Sequence, residues 1–300
     1  MTATAIVLIT LSVFAHAGWN LLGKRQPAVA YFFLATGAST LILIPLLWYD
    51  RTLLAWASPA IWALVGVTGL FQAIYFSGLA GAYRHGDMSL AYPLLRALPV
   101  LLITAISFLL GRGDQITPLG LMGILTVAAG CLILPLKSFR AIRLQDYLAL
   151  CCLLALMAAF GTTGYTLVDD EALRRLRQSL FWMPAPPVTL FYIALQTTST
   201  TLWLALFTLF LPSERERLSK LWRNGRGQAA LTGLVITGAY GLVLASMAYV
   251  SNVSYVAAFR QMSIPLGALL GIWLLKEPPY RPKIIGVGVV SAGLALVALF

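Results

Sequence analysis

The chain has 300 residues, of which 60% are hydrophobic and only 10% charged, with a mean hydropathy of +0.86. Soluble domains carry about 25% charged residues, so this composition cannot supply a water-compatible surface. A soluble enzyme and a free nucleic-acid binder are both excluded, and the lipid bilayer is the expected surrounding. The net charge of +11 is then informative by position and not as affinity for a polyanion.

Ten apolar stretches succeed one another, at about 3–22, 28–48, 58–80, 88–110, 116–136, 146–167, 188–211, 228–250, 253–275 and 282–300. Each is near the roughly 20 residues that cross a bilayer as a helix. The runs are continuous instead of alternating and about twice the length of a barrel strand. The predicted fold class is an all-α integral membrane protein with ten transmembrane helices. In the first stretch Ala15-His16-Ala17 has the form of a cleavage site, but no Lys or Arg precedes it, so it is predicted to be a span and not a signal peptide.

Polar residues inside these stretches mark the candidate site. His16 and Asn20 are four apart and share a helix face, with Trp19 beside them. A lipid-facing helix has no use for them, so this face is expected to look into a cavity or, for His16, to bond a neighbouring helix. The ordinary histidine pKa of about 6.5 would permit proton coupling. The third stretch offers Gln72 and Tyr75; the fourth carries Tyr92, Arg96 and Pro99. Tyr165, Tyr192, Gln196, Tyr240 and Tyr255 follow, and the ninth stretch holds Arg260, Gln261 and Pro265. A charge at the bilayer centre costs at least about 2.5–3.5 kcal/mol on insertion scales. Each proline frees a backbone carbonyl one turn upstream, near Arg96 or Arg260. Two readings stay open: the guanidiniums satisfy those carbonyls, or they bind an anionic group such as a carboxylate or phosphonate. Among the aromatics, Trp19, Tyr92, Tyr165 and Tyr240 are favoured as cavity walls. Trp48, Tyr49 and Tyr280 suit a belt at the membrane surface, whereas Gln196 and Gln72 suit helix-packing bonds, as does the Gly267/Gly271 pair.

All ten acidic residues are expected in links or at helix ends, which disfavours export of lipophilic cations because no carboxylate would lie in the membrane core. Asp169-Asp170-Glu171 could serve a metal-dependent membrane enzyme, but no second acidic cluster faces it, and a solvated charged face is expected. A channel or receptor-like partner is a third reading. Cys131, Cys151 and Cys152 have no metal or disulfide spacing. There is no nucleotide-binding loop of the Gly-x-x-x-x-Gly-Lys-Ser/Thr kind, and no cofactor is called for.

The links after stretches 1, 3, 5, 7 and 9 hold 14 Lys and Arg, against 5 in the links after stretches 2, 4, 6 and 8. The positive-inside rule places the first set in the cytoplasm and both termini outside, as in a multi-pass protein of the cell's inner (plasma) membrane. The chain also repeats itself. His16–Lys24 aligns with Thr162–Asp170 so that Gly18 matches Gly164 and Trp19 matches Tyr165; Pro99 falls on Pro265 and Gly120 on Gly286. Two five-helix halves, 1–143 and 144–300, follow. Five is odd, so the halves are inverted, the plan of many secondary transporters with a midplane site. One chain holds both halves, so a monomer suffices.

The Gly18-Trp19-Asn20…Lys24 run, the proline-containing fourth and ninth helices, and Pro265…Leu274-Leu275-Lys276-Glu277 with Gly286 and Gly293 resemble the drug/metabolite transporter superfamily, in particular EamA-type transporters. The likeness covers nearly the whole chain. It departs at Gly111-Arg112-Gly113-Asp114, where that repeat usually has a Glu. The resemblance implies a carrier, often an exporter, of amino acids or other small metabolites, without fixing which.

Overall fold

The computed structural model describes residues 1–26, 28–85, 88–134, 136, 150–274 and 280–299; the side chains of 17, 18, 20–25, 88–94, 267, 270, 271, 273 and 274 lie outside that description. The described chain is helical, with no strand among the described residues. Among the described residues the α-helices are α1 (Ala3–Arg25), α2 (Val29–Tyr49), α3 (Pro59–His85), α4 (Met88–Leu109), α5 (Pro118–Ile133), α6 (Leu150–Ser179), α7 (Ala185–Phe210), α8 (Pro212–Asn224), α9 (Arg226–Ser246), α10 (Val253–Phe259), α11 (Ser263–Leu274) and α12 (Arg281–Leu299). Among the described residues, six helices are long and apolar enough to cross a membrane: α2, α3, α6, α7, α9 and α12. Shorter apolar helical stretches lie at Ala3–His16, Leu95–Leu109 and Pro118–Ile133. This is an all-α, membrane-embedded protein.

Local chemistry sets the helix ends. Thr117 caps α5, its Oγ1 accepting from the Gly120 N–H at 3.0 Å, with Pro118 at the first helical position. Asn252 caps α10 by accepting from the Ser254 N–H at 2.9 Å. Trp48, Tyr49 and Tyr280 are exposed at or beside helix ends.

Three features depart from the expected spans. First, α6 does not stop near residue 167 but continues through the charged stretch to Ser179. Second, the ninth stretch is two helices, broken by a 3₁₀ turn at Arg260–Met262. Pro265 lacks an N–H and its ring crowds the carbonyl of Gln261; the turn tightens there, and Ser263 Oγ donates to the Arg260 carbonyl at 3.2 Å. Across Pro99, in contrast, α4 stays continuous. Third, the basic link after α7 forms an amphipathic helix, α8, bounded by Pro212 and Gly225.

Glycine allows the closest crossings. A Cβ on Gly78 of α3 would sit 2.7 Å from the Leu154 carbonyl of α6, and one on Gly161 of α6 would sit 2.7 Å from the Tyr75 N of α3. The α5–α12 pair is built alike: a Cβ on Gly293 would meet Val127 N at 2.7 Å, and one on Gly130 would meet Val290 N at 2.8 Å. The packing of Gly267 and Gly271 is outside the described residues.

Candidate functional site

Two adjoining cavities lie between the helices. The first is walled by α1 (His16, Trp19), α3 (Gln72, Tyr75, Phe76), α6 (Tyr165), α7 (Gln196, Thr197, Thr200) and α9 (Thr237, Tyr240). The second takes Arg96 and Pro99 from α4, Tyr83 from α3, Thr162 from α6, and Arg260 and Gln261 from the 3₁₀ turn. His16, Tyr75 and Tyr165 face both. Each leaves only about 30 Å³ for water centres, room for about two waters, so an organic solute requires the helices to part.

Of the residues that the sequence marks for the site, His16, Trp19, Gln72, Tyr75, Arg96, Tyr165, Tyr240, Arg260 and Gln261 are thus brought together, with Gln196 beside them. The side chains of Asn20 and Tyr92 lie outside the described residues. Both guanidiniums face the second cavity, although their residues sit on different helices far apart in sequence.

The wall is a train of aromatic contacts. His16 meets Trp19 at 5.7 Å between ring centroids, Trp19 meets Phe32 at 6.5 Å, and Phe32 stacks on Phe76 at 4.7 Å. Phe76 meets Tyr75 at 5.0 Å, Tyr75 meets Tyr165 at 5.7 Å, and Tyr165 meets Tyr240 at 5.3 Å. Arg260 then lies over Tyr240, its Cζ 5.7 Å from the ring centre, within range of a cation–π attraction. Trp19 Nε1, on this path, and Gln261 Oε1, beside its Arg260 end, have no hydrogen-bond partner among the described residues, each in a buried residue. The Gln261 amide spends its Nε2 on the Ala257 carbonyl at 3.0 Å, which leaves the oxygen over. An unsatisfied buried donor or acceptor costs about 1–3 kcal/mol; a ligand able to pair with it recovers that cost.

Other polar residues hold the frame. Gln196 Nε2 donates to Thr200 Oγ1 at 3.2 Å, and Thr200 Oγ1 reaches Gln72 Oε1 at 3.4 Å, tying α7 to α3. His16 Nδ1 lies 3.2 Å from both the hydroxyl and the carbonyl of Ser12. Tyr255 faces neither cavity: its hydroxyl accepts from the Thr117 N–H at 2.8 Å and fastens α10 to the start of α5.

The placement of the acidic residues corrects the sequence reading. Asp169 is neither in a link nor at a helix end. It is fully buried within α6, where Oδ1 accepts from Thr68 at 2.5 Å and Tyr192 at 2.6 Å, and Oδ2 accepts from Tyr240 in a short hydrogen bond. A carboxylate thus stands inside the helix bundle, and its absence no longer argues against a cationic solute. Its oxygens are already taken by three hydroxyls, and it reaches the first cavity only through Tyr240. The neighbouring Asp170 and Glu171 are not a freely solvated face either. Arg112 bridges them at 3.2 and 2.5 Å, while Arg174 and Arg175 close on them at 2.6 Å each. Glu214, in the basic link, is buried as well. It accepts from the Ala30 N–H at the start of α2 (3.0 Å) and pairs with Arg84 (3.1 Å), where the helix dipole favours an anion.

The signal for Asp169 was present in the sequence. Tyr165, Asp169, Ala172, Leu173, Leu176 and Leu180 keep helical spacing straight through the charged stretch and are all buried. Among the described residues, no group of three or more His, Cys, Asp or Glu side chains could hold a metal ion.

No protein-family model matches the chain, and no curated protein does. A solved crystal structure is similar over 100% of this chain and 98% of its own length, with a TM-score of 0.70 and 18% identity. That likeness carries the fold, so the arrangement of helices described above exists in a protein solved by crystallography.

Proposed function

We propose that this chain is a secondary carrier for a small polar metabolite with a negative group, an amino acid or another anionic or zwitterionic solute, moved by alternating access of two inverted halves. One observation carries the reading. Arg96 and Arg260, one from each half of the chain, face a common cavity together with Gln261, whose amide oxygen has no hydrogen-bond partner among the described residues, and the adjoining cavity holds the Trp19 indole, whose N–H likewise has none among them. A fork of N–H donors matches a carboxylate, and the unpartnered groups match the remaining polar atoms of such a solute. Asp169 holds Tyr240 in place from behind the wall.

The helix pairing supports the inverted plan. If α1–α5 are exchanged with α6, α7, α9, the α10–α11 pair and α12, the main helix pairings map on one another. The α3–α6 pair becomes α9–α1, α2–α9 becomes α7–α3, and α4–α6 becomes the broken helix on α1; α2–α7 and α5–α12 map on themselves. This is the symmetry that places a substrate site between repeats. The resemblance to EamA-type transporters points the same way and adds export as the direction. In this reading the chain is not an enzyme; it sits in the inner membrane with α8 on the cytoplasmic side and both termini outside, works as a monomer, and can couple to protons through His16.

The test is a melting-temperature screen of the purified protein against amino acids, organic acids and phosphonates. A ligand of this class should raise the melting temperature of the native protein and fail to do so for Arg260→Ala. A shift that survives in Arg260→Ala and Arg96→Ala contradicts the assignment.

A further inference from the structure

A wide groove lies away from the central site, between α8 and the ends of α2 and α7. Arg215, Leu218, Ser219, Trp222 and Arg223 recur at helical spacing along one face of α8 and line it, opposite Phe33 and Leu34 of α2 and Leu209 of α7. About 560 Å³ is open there, against about 30 Å³ in each central cavity. The charged groups of the lining are both arginines, and neither forms an ion pair among the described residues. The carboxylates of α8 are engaged elsewhere: Glu214 turns inward to Arg84, and Glu216 is held by Lys220 at 2.7 Å. The floor is apolar and continues along α7 through the exposed Leu206, Leu209 and Phe210.

We propose that this groove binds one anionic glycerophospholipid, its phosphate between Arg215 and Arg223 and an acyl chain along Leu209 and Phe33. Charge complementarity selects the headgroup: two unpaired guanidiniums attract a net anion and disfavour the ammonium of a zwitterionic lipid. The apolar floor and the exposed Trp222 select a lipid over a water-soluble anion, which has no use for them. Clusters of basic residues next to membrane-spanning helices recognise anionic lipids by the same physics. This inference is independent of the transport reading.

The test places the full-length protein in nanodiscs of phosphatidylcholine with a small fraction of brominated phosphatidylglycerol or brominated phosphatidylcholine, and follows tryptophan emission. Trp222→Phe identifies the Trp222 part of the signal. Brominated phosphatidylglycerol should quench Trp222 at a lower fraction than brominated phosphatidylcholine, by about fivefold for each arginine. The selectivity should vanish in Arg215→Gln/Arg223→Gln, whose exposed substitutions leave the thermal unfolding curve in place. Inorganic phosphate should not displace the brominated anionic lipid. Equal quenching by the two lipids, quenching by neither, unchanged selectivity in the double variant, or displacement by phosphate each overturns the proposal.

Discussion

The α5–α12 pair and the central cavities solve the same packing problem in opposite ways. Along α5–α12, glycines bring backbones together and the buried side chains are Ile124, Val127, Cys131, Val290 and Val297, with no charged residue buried between them. In the centre, α1, α3, α4, α6, α9 and the Arg260 turn bury a carboxylate, leave polar atoms such as Trp19 Nε1 and Gln261 Oε1 without a hydrogen-bond partner among the described residues, and bring two guanidiniums to one cavity. Helices in a bilayer associate by close packing of small residues without needing ionised groups. The dry pair shows that helices of this chain can pack closely without buried charge, whereas in the centre Asp169 ties α6 to α3, α7 and α9 through hydroxyls.

Substitutions can break or sharpen that contrast. The largest effect is expected at Arg260 and Arg96. Truncating one partner of a buried, hydrogen-bonded charge pair costs about 2–5 kcal/mol, so alanine at either position should weaken substrate affinity by about 30-fold or more, read from the concentration dependence of flux at equal protein abundance. Next is Asp169→Ala, which leaves the hydroxyls of Thr68, Tyr192 and Tyr240 without their acceptor. At about 1 kcal/mol or more for each group left unsatisfied, unfolding in denaturant should shift by roughly 3 kcal/mol, whereas Asp169→Asn, which still accepts, should shift less.

In the dry pair the expectation reverses. Gly293→Leu forces a side chain into the Val127 backbone and should cost about 1–3 kcal/mol by overpacking, lowering the melting temperature while flux per folded molecule stays unchanged. Trp19→Phe keeps the aromatic wall but removes an N–H that has no partner among the described residues. The unliganded protein should melt at the same temperature or slightly higher, while the ligand-induced rise shrinks; a loss of stability without ligand would show that the indole N–H serves the fold. The smallest effect belongs to the exposed Glu216–Lys220 pair. Lys220 holds the Glu216 carboxyl below its ordinary range, so any contribution is present above that range and lost as pH falls through the lowered value. Full exposure and screening leave it too small to resolve in a Glu216→Gln melting curve.

Much of this was legible because a bilayer imposes strong rules. Nineteen or more apolar residues in a row announce a helix, and polar residues inside such a run must face something other than lipid, which is why His16, Trp19, Arg96 and Arg260 could be assembled from spacing alone. What escaped was the continuation of order past the apolar signal. Composition ends α6 at about residue 167, yet Ala172, Leu173 and Leu176 extend its buried face, and Asp169 therefore sits inside the bundle and not in a link. The break at Arg260–Met262 was foreshadowed by Pro265, but Pro99 in an equivalent setting leaves α4 intact; proline makes a break affordable without enforcing it. The amphipathic order of α8 lay within what composition shows only as a basic link.

The most direct measurement is counterflow in proteoliposomes loaded with an unlabelled amino or organic acid and given the same solute, radiolabelled, outside. The expected result is transient, saturable accumulation of label by the native protein and its loss in Arg260→Ala reconstituted to the same density. Flux that rises linearly with concentration, or accumulation that persists in Arg260→Ala, would contradict a carrier whose guanidinium holds its substrate.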